Sequence, residues 1–295
     1  MMDLSLLYGA VIFGVLSGGV FAVMASGLTL IFGVMRIVNI AHGALVVLGA
    51  YLSYVVYTNL HIDPFLGLFL VVPVMFVVGV ALEVLFIRPL KVEREELSVL
   101  VTFALAVVIE GALTAVFGTN YVQITLAYGN DSFALGGVYV AWVSVYGFLL
   151  AAAVLAVLFL LIYRTSFGAS VRATMLNRSA AQLIGIDVER VSALTFGIGT
   201  ATAAAGGVMF GITNAFYPGS HYDLILILLA IIVVGGFGSF RGAIIAAVAI
   251  LVIEDVASVM IAPVWGGFSF FVILIVMLIV RPQGLFGQKL RDART

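Results

Sequence analysis

Nine apolar segments follow one another along this chain, near residues 5–31, 39–58, 65–87, 97–117, 139–163, 192–213, 224–237, 243–261 and 267–281. A bilayer core about 30 Å thick takes about 20 mostly apolar residues per helix. The pattern predicts an all-α polytopic membrane protein, one transmembrane domain over residues 1–295. Its bundle holds eight to ten transmembrane helices, nine on this count. Segments 224–237 and 267–281 are short, which predicts helices that end inside the protein. Of 295 residues, 64% are apolar and 9% charged, against about 45–50% and 25% in soluble domains. A core of this size cannot hide that surplus, so it must face lipid. A soluble enzyme, a disordered chain and a nucleic-acid binder are excluded. Thirteen basic against fourteen acidic residues leave no field for a polyanion. With no cysteine, disulfides, iron–sulfur clusters and thiolate metal sites are excluded, and three scattered histidines argue against a structural zinc site.

Charge placement orients the spans. Arg88, Lys91 and Arg94 lie in one link, Arg164, Arg172, Arg178 and Arg190 in a second, and Arg281, Lys289, Arg291 and Arg294 in the tail. The alternate links, 59–64, 118–138, 214–223 and 262–266, hold no Lys or Arg. The positive-inside rule places the basic links in the cytoplasm, with the N-terminus outside and the C-terminus cytoplasmic. Arg36 and Arg241 then also fall inside, and 118–138 forms an outer loop. The start, Met1 to Tyr8, has no positive n-region, so the apolar stretch behind it reads as the first span rather than a cleaved leader.

Small residues recur every four positions in two spans: Ala10, Gly14, Gly18, Ala22 and Ser26 in the first, and Thr195, Gly199, Ala203, Gly207 and Gly211 in the sixth. Such rows let a second helix backbone approach closely. They predict packing seams and say nothing of substrate.

Chemistry is sparse. The lysines, Lys91 and Lys289, sit in no P-loop, and there is no H-E-x-x-H. Ionisable residues inside spans are costly and are functional candidates by default. Glu110 lies midway in its span, and Glu254 lies with Asp255 in the outer half of another. Each glutamate either bonds between helices or lines a polar path. Adjacent Glu254 and Asp255 point to different faces and are no catalytic pair. Glu83 reads as an interfacial carboxylate near Arg88. Asn39 is placed to cap the second span. His42 is either a hydrogen-bonded structural residue or part of a gate, and His61 and His221 read as outer-loop residues.

Link 164–190 carries Val171, Met175, Leu176, Ala180, Leu183 and Ile184 at helical spacing, with Arg172, Asn177, Arg178 and Gln182 mainly opposite. This predicts one amphipathic helix along the membrane surface, stopped by Gly185 as a C′ glycine. Its weakly basic polar face suits partner docking better than lipid binding.

Ser26-Gly-Leu-Thr-Leu-Ile-Phe-Gly-Val-Met-Arg36-Ile-Val-Asn39-Ile-Ala-His42-Gly43, followed by Leu48-Gly-Ala-Tyr51, resembles the signature of branched-chain amino-acid ABC importer permeases of the LivH type. Arg172 to Asp187 resembles that family's cytoplasmic coupling segment. Ile232 to Gly242 and Arg281-Pro-Gln-Gly284-Leu-Phe-Gly287 are similar as well. Ala180, Ala181 and Gly185 match the spacing of an E-A-A-x-x-x-G loop, with Ser179 in place of Glu and no Ile-x-Leu-Pro after it. The resemblance implies a permease that is no enzyme and holds no cofactor, ATP being bound by partner subunits. It implies a second related permease, two ATPases and an extracytoplasmic binding protein that delivers branched-chain amino acids. The setting would be a bacterial or archaeal inner membrane. Arg172, Asn177, Ala180, Ala181, Gly185 and Asp187 would couple to the ATPases. Two alternatives stay open: urea, amide or aromatic-acid substrates, and a proton-coupled carrier using Glu110 or Glu254. An intramembrane enzyme lacks a convergent nucleophile, base and orienter.

Overall fold

The computed structural model describes residues 4–90 and 94–287, the side chain of Arg94 excepted. Lys91, Lys289, Arg291 and Arg294 lie outside the described residues. Nine helices among the described residues are long and apolar enough to cross a membrane. In order they are α1 (Leu4–Met35), α2 (His42–Leu60), α3 (Pro64–Leu82), α4 (Arg94–Phe117), α5 (Trp142–Arg164), α8 (Val188–Thr213), α9 (His221–Gly235), α10 (Phe240–Met260) and α11 (Pro263–Val280). Helix α3 continues into a π-helical turn at Glu83–Ile87, and a 3₁₀ turn at Pro218–Ser220 leads into α9. Two short helices, α6 (Ser166–Leu176) and α7 (Arg178–Leu183), and a hairpin of β1 (Ser132–Leu135) with β2 (Val138–Ala141) complete the fold. The chain is a multi-pass membrane protein.

The nine spans alternate in direction, so the molecule has two unlike ends. Arg36, Arg88, Arg164, Arg172, Arg178, Arg190, Arg241 and Arg281 all lie at or beyond helix ends on one side, the arginine-rich end. The β1–β2 hairpin marks the other. There β1 and β2 pair antiparallel from Ser132↔Ala141 to Leu135↔Val138. Gly136 and Gly137 turn the hairpin with φ of +60° and +89°, the conformation that suits glycine in a two-residue turn. Val122 and Phe216 exchange backbone hydrogen bonds of 2.8 and 2.9 Å, tying residues 118–138 to the end of α8.

Helices α1 and α8 form the centre. Most of α8 is buried, whereas α4 and α11 are largely exposed. The small-residue rows explain how backbones approach so closely here. On α1, a Cβ at Gly14 would lie 2.5 Å from Val252 Cα, and one at Gly18 2.8 Å from Val248 Cα, so this row seats α10. On α8, Gly199 faces Gly27 of α1, Gly207 lies against the Val46 carbonyl of α2, and Gly211 meets Phe216 and Ala50. Van der Waals contact between backbones supplies the attraction that lipid, being as apolar as leucine, does not.

Local signals set the helix starts. Asp63 accepts from Phe65 N at 2.9 Å and caps α3, with Pro64 in the first helical position. Asp187 caps α8 through Arg190 N at 3.0 Å, and Ser239 caps α10 through Gly242 N at 3.1 Å. Asp63 also accepts from Tyr128 OH at 2.5 Å, which anchors the 118–138 segment on α3. Burial, and then that carboxylate, push the Tyr128 phenol above its ordinary range.

Two expectations need correction. Segment 267–281 is no truncated span: Pro263 starts α11 earlier, and the helix reaches 18 residues. Link 164–190 is not one surface helix. It breaks at Asn177, whose side chain accepts from Ala180 N at 3.0 Å and starts a second helix. The helical spacing read through a residue whose short carboxamide favours a cap over a helix interior.

Candidate functional sites: a helical elbow and a mid-depth junction

The α6–α7 elbow projects from the arginine-rich end. Thr165 caps α6 through Gly168 N at 3.0 Å. Val171, Thr174 and Ala181 face inward and are buried. Leu176, Leu183 and Ile184 point the other way, 71%, 88% and 76% exposed, so the apolar residues do not share one face as their spacing predicted. Gly185 ends α7 at φ +87° with open space where a side chain would go. Asn177, Ala180, Gly185 and Asp187 are all exposed beside the three large apolar side chains.

Three attachments fix the elbow to the bundle. The Arg172 guanidinium donates to the Ile162 carbonyl of α5 and lies 5.6 Å from the Tyr163 ring centroid. Arg36 Nη2 donates to the Met175 carbonyl at 3.4 Å. Beyond α7, Asp187 opens α8, whose Glu189 side chain and carbonyl meet Arg88 at 3.9 and 3.5 Å. Arg88 also pairs with buried Glu83 at 3.1 Å, the neighbour expected for that carboxylate.

The second site is built on one stripe of α4. Ser98, Thr102, Ala106 and Glu110 are four residues apart and lie along one face. Thr102 Oγ1 accepts from Ile40 N at 3.2 Å. Ala106 is buried against Ala41 and Ala44. Glu110 Oε2 lies 3.1 Å from His221 Nε2 and accepts from Tyr222 OH at 2.9 Å. The stripe therefore receives the start of α2 and the start of α9.

Both starts lie deep in the bundle. His42 Nε2 donates to the Met24 carbonyl at 2.9 Å, and Met24 stands about 16 Å short of the end of α1 at 1.5 Å per residue. Residues 36–41 lead back from the end of α1 to that depth. The link is bent at both ends: Arg36 has a φ of +58°, and residues 39–42 close a turn through the Asn39 carbonyl and the His42 amide. Opposite them, Tyr51 stacks on Phe117 at the hairpin end of α4, with ring centroids 4.5 Å apart. Glu110 lies about 10 Å below Phe117 on α4, and Thr102 about 12 Å below Glu110. The two starts touch: a Cβ on Gly43 would be 2.5 Å from the His221 carbonyl oxygen.

Several residues differ from their expected places. Asn39 does not cap α2: the cap position is Ala41, which offers no side-chain bond. Asn39 accepts through its backbone, from His42 N at 3.2 Å, closing the turn that leads into α2. Its buried carboxamide has neither atom bonded. His42 is fully buried, with Nδ1 unbonded. His221 is no loop residue: it is 2% exposed and partners Glu110. The signal was available, since a mid-span glutamate needs a polar neighbour and the first turn of α9 offers His221 and Tyr222. Segment 224–237 does end inside the protein, but so does α2, whose length gave no hint. Glu254 stays apart from this junction. Helix α10 packs on α1, α9 and α11, while α4 packs on α2 and the turn before α9. Glu254 Oε2 is buried without a partner, and Asp255 lines a shallow cavity with Ser5, Gly9 and Ser258. No group of three or more metal-ligating side chains converges among the described residues.

The fold is thus a central pair of closely seated helices with a projecting elbow and two helices that begin at mid-depth. The family described as "Branched-chain amino acid transport system / permease component" matches residues 10–280. The chain belongs to that family. It is similar to a protein of Methanocaldococcus jannaschii named a probable branched-chain amino acid transport permease protein, LivH: 28% identical over 96% of this chain and 92% of the relative. A high-affinity branched-chain amino acid transport system permease protein of Pseudomonas aeruginosa, BraD, is 25% identical, covering 93% of this chain and 94% of its own. The LivH of Escherichia coli K12 is 26% identical with the same coverage, 93% and 94%. No solved structure matches the chain significantly. This permease is thus a transport subunit.

Proposed function

We propose that this permease is the membrane-spanning subunit of an ATP-driven importer that carries branched-chain amino acids inward from an extracytoplasmic binding protein. The arginine-rich end faces the cytoplasm and the hairpin end faces outward, in a bacterial or archaeal inner membrane. Two separate ATPase subunits bind and hydrolyse ATP, and a second related permease completes the pore. No bond in the substrate is made or broken by this chain, and it holds no cofactor.

The elbow carries this reading. Leu176, Leu183 and Ile184 stand exposed on the side where the arginines collect, beyond the membrane-spanning helices. A cluster of large apolar side chains in water is the usual mark of a protein-binding surface. Asn177, Ala180, Ala181 and Gly185 shape that surface, Asp187 joins it to α8, and Arg172 joins it to α5. ATP-driven movement of the docked subunits displaces α6 and α7. Through Arg36 the displacement reaches link 36–41 and the start of α2, where Asn39, His42 and Glu110 lie. Glu254, remote from that route, is assigned to outer packing with α11.

Reconstitution tests the reading. The permease, its neighbouring permease and the ATPases, assembled in proteoliposomes with the receptor, should accumulate leucine only with ATP. Accumulation by this chain alone, driven by a pH gradient and indifferent to ATP, would refute it.

A further inference from the structure

Four side chains at mid-depth are on the surface of the bundle rather than inside it. Glu110 is 26% exposed, Tyr222 45% and Leu226 47%, and Asp223 is exposed between them. They form one face where α9 leaves its junction with α4. A carboxylate facing hydrocarbon costs about 2.5–3.5 kcal/mol even on the mildest scale, so such groups face water or protein. This face therefore cannot be a lipid surface, although the exposed apolar sides of α3 and α11 can.

Its charge has one sign. Asp63, Glu110, Asp131, Asp223, Glu254 and Asp255 all lie in the hairpin half, and every arginine side chain among the described residues lies toward the other end. The hairpin half draws cations. Beside the face, the 19-residue helix α2 begins without a side-chain cap, its N-terminal amides carrying the positive end of the helix dipole. At that start Asn39 is fully buried with both carboxamide atoms unbonded, a polar group for which the chain itself supplies no partner. Ala106 backs the start of α2. One turn of α4, about 5.4 Å, separates it from Glu110. A carboxylate and the positive end of a helix thus adjoin the same stretch of α4, the two kinds of group that an α-amino acid zwitterion needs.

We propose that the face formed by Glu110, Tyr222, Asp223 and Leu226 is the wall of the aqueous path, and that it binds the α-amino acid in passing, Glu110 taking the ammonium group and the start of α2 with Asn39 the carboxylate. This rests on the permease reading and deepens it. The side chain of the substrate makes no charged contact, in keeping with a conduit whose selectivity lies in the receptor. In the present conformation Gly43 rests on the His221 carbonyl, so passage requires the two helix starts to part.

The chain has no cysteine, which makes the test direct. Leu226→Cys in the assembled complex should react with a cationic methanethiosulfonate at least tenfold faster than with an anionic one. Adding Glu110→Gln should lower that preference, and adding Asp223→Asn as well should remove most of it. Val77→Cys, on the exposed face of α3, serves as the lipid-facing reference. Reaction of Leu226→Cys no faster than Val77→Cys, or equal reaction with both charges, overturns the proposal. In the transport assay, Glu110→Gln should lower leucine carried per ATP hydrolysed at least tenfold, with Glu110→Asp recovering part of it. If the unaltered complex carries leucine and the Gln variant carries it equally, this assignment fails while the permease reading stands. If the unaltered complex carries no leucine, both fall.

Discussion

Gly207 offers a quantitative test of how the centre is held. A Cβ at this position would press on the Val46 carbonyl, with Val46 C 3.0 Å and Ala50 N 3.1 Å away. These are backbone atoms of α2, so no side chain can rotate to make room. Gly207→Ala therefore has to displace α2, and overpacking of a close contact costs about 1–3 kcal/mol. Against this, alanine is better than glycine in a helix by about 0.5–1 kcal/mol. The net expectation is a loss of roughly 0–2.5 kcal/mol. Gly147 in α5 and Gly267 in α11 have open space at the Cβ position, so their alanine variants should gain about 0.5–1 kcal/mol. Equilibrium unfolding in mixed micelles, with all three variants run beside the parent, measures the opposite signs. Gly207→Leu should go further and reduce the yield of intact bundle. If Gly207→Ala proves as stable as Gly147→Ala, α2 and α8 are not held by backbone contact.

Other expectations follow from single contacts. Leu183→Glu with Ile184→Glu should weaken co-purification of the ATPase partners by about 2 kcal/mol or more, some thirtyfold, while the thermal stability of the isolated permease stays unchanged. Asn177→Ala removes the α7 cap and should cost about 1 kcal/mol locally, seen as faster hydrogen exchange at the Ala180 amide. Tyr128 has its phenol pKa raised, so the neutral, hydrogen-bonded form is favoured by the fold. Its contribution is whole below the ordinary phenol pKa of about 10 and is lost as pH rises through the higher folded value. Spectrophotometric titration should show a late-ionising phenol fraction, and Tyr128→Phe should lower its amplitude by one tyrosine.

The spans were legible because length and polarity alone decide them, and Gly185 was legible because a helix stop needs a positive φ that glycine adopts freely. Depth was not legible. Nothing in the composition of 42–60 distinguishes a helix that starts at the membrane surface from one that starts within it. Only the Met24 carbonyl bonded to His42 and the length of α1 reveal the difference. The same blindness hid His221, whose link reads as a surface turn until Glu110 is found beside it. Asn177 misled in the opposite way: apolar spacing continued through it, and a local bond from its side chain outweighed the period.

Link 36–41 is held at two points: Arg36 grips the Met175 carbonyl of α6, and four residues later Ile40 N is held by Thr102 of α4. Its bends at Arg36 and at residues 39–42 store spare length. Small excursions of the elbow would be taken up by straightening those bends, and only a larger stroke would haul on the foot of α2. The connection would then act with a threshold, deaf to jitter and responsive to a full stroke.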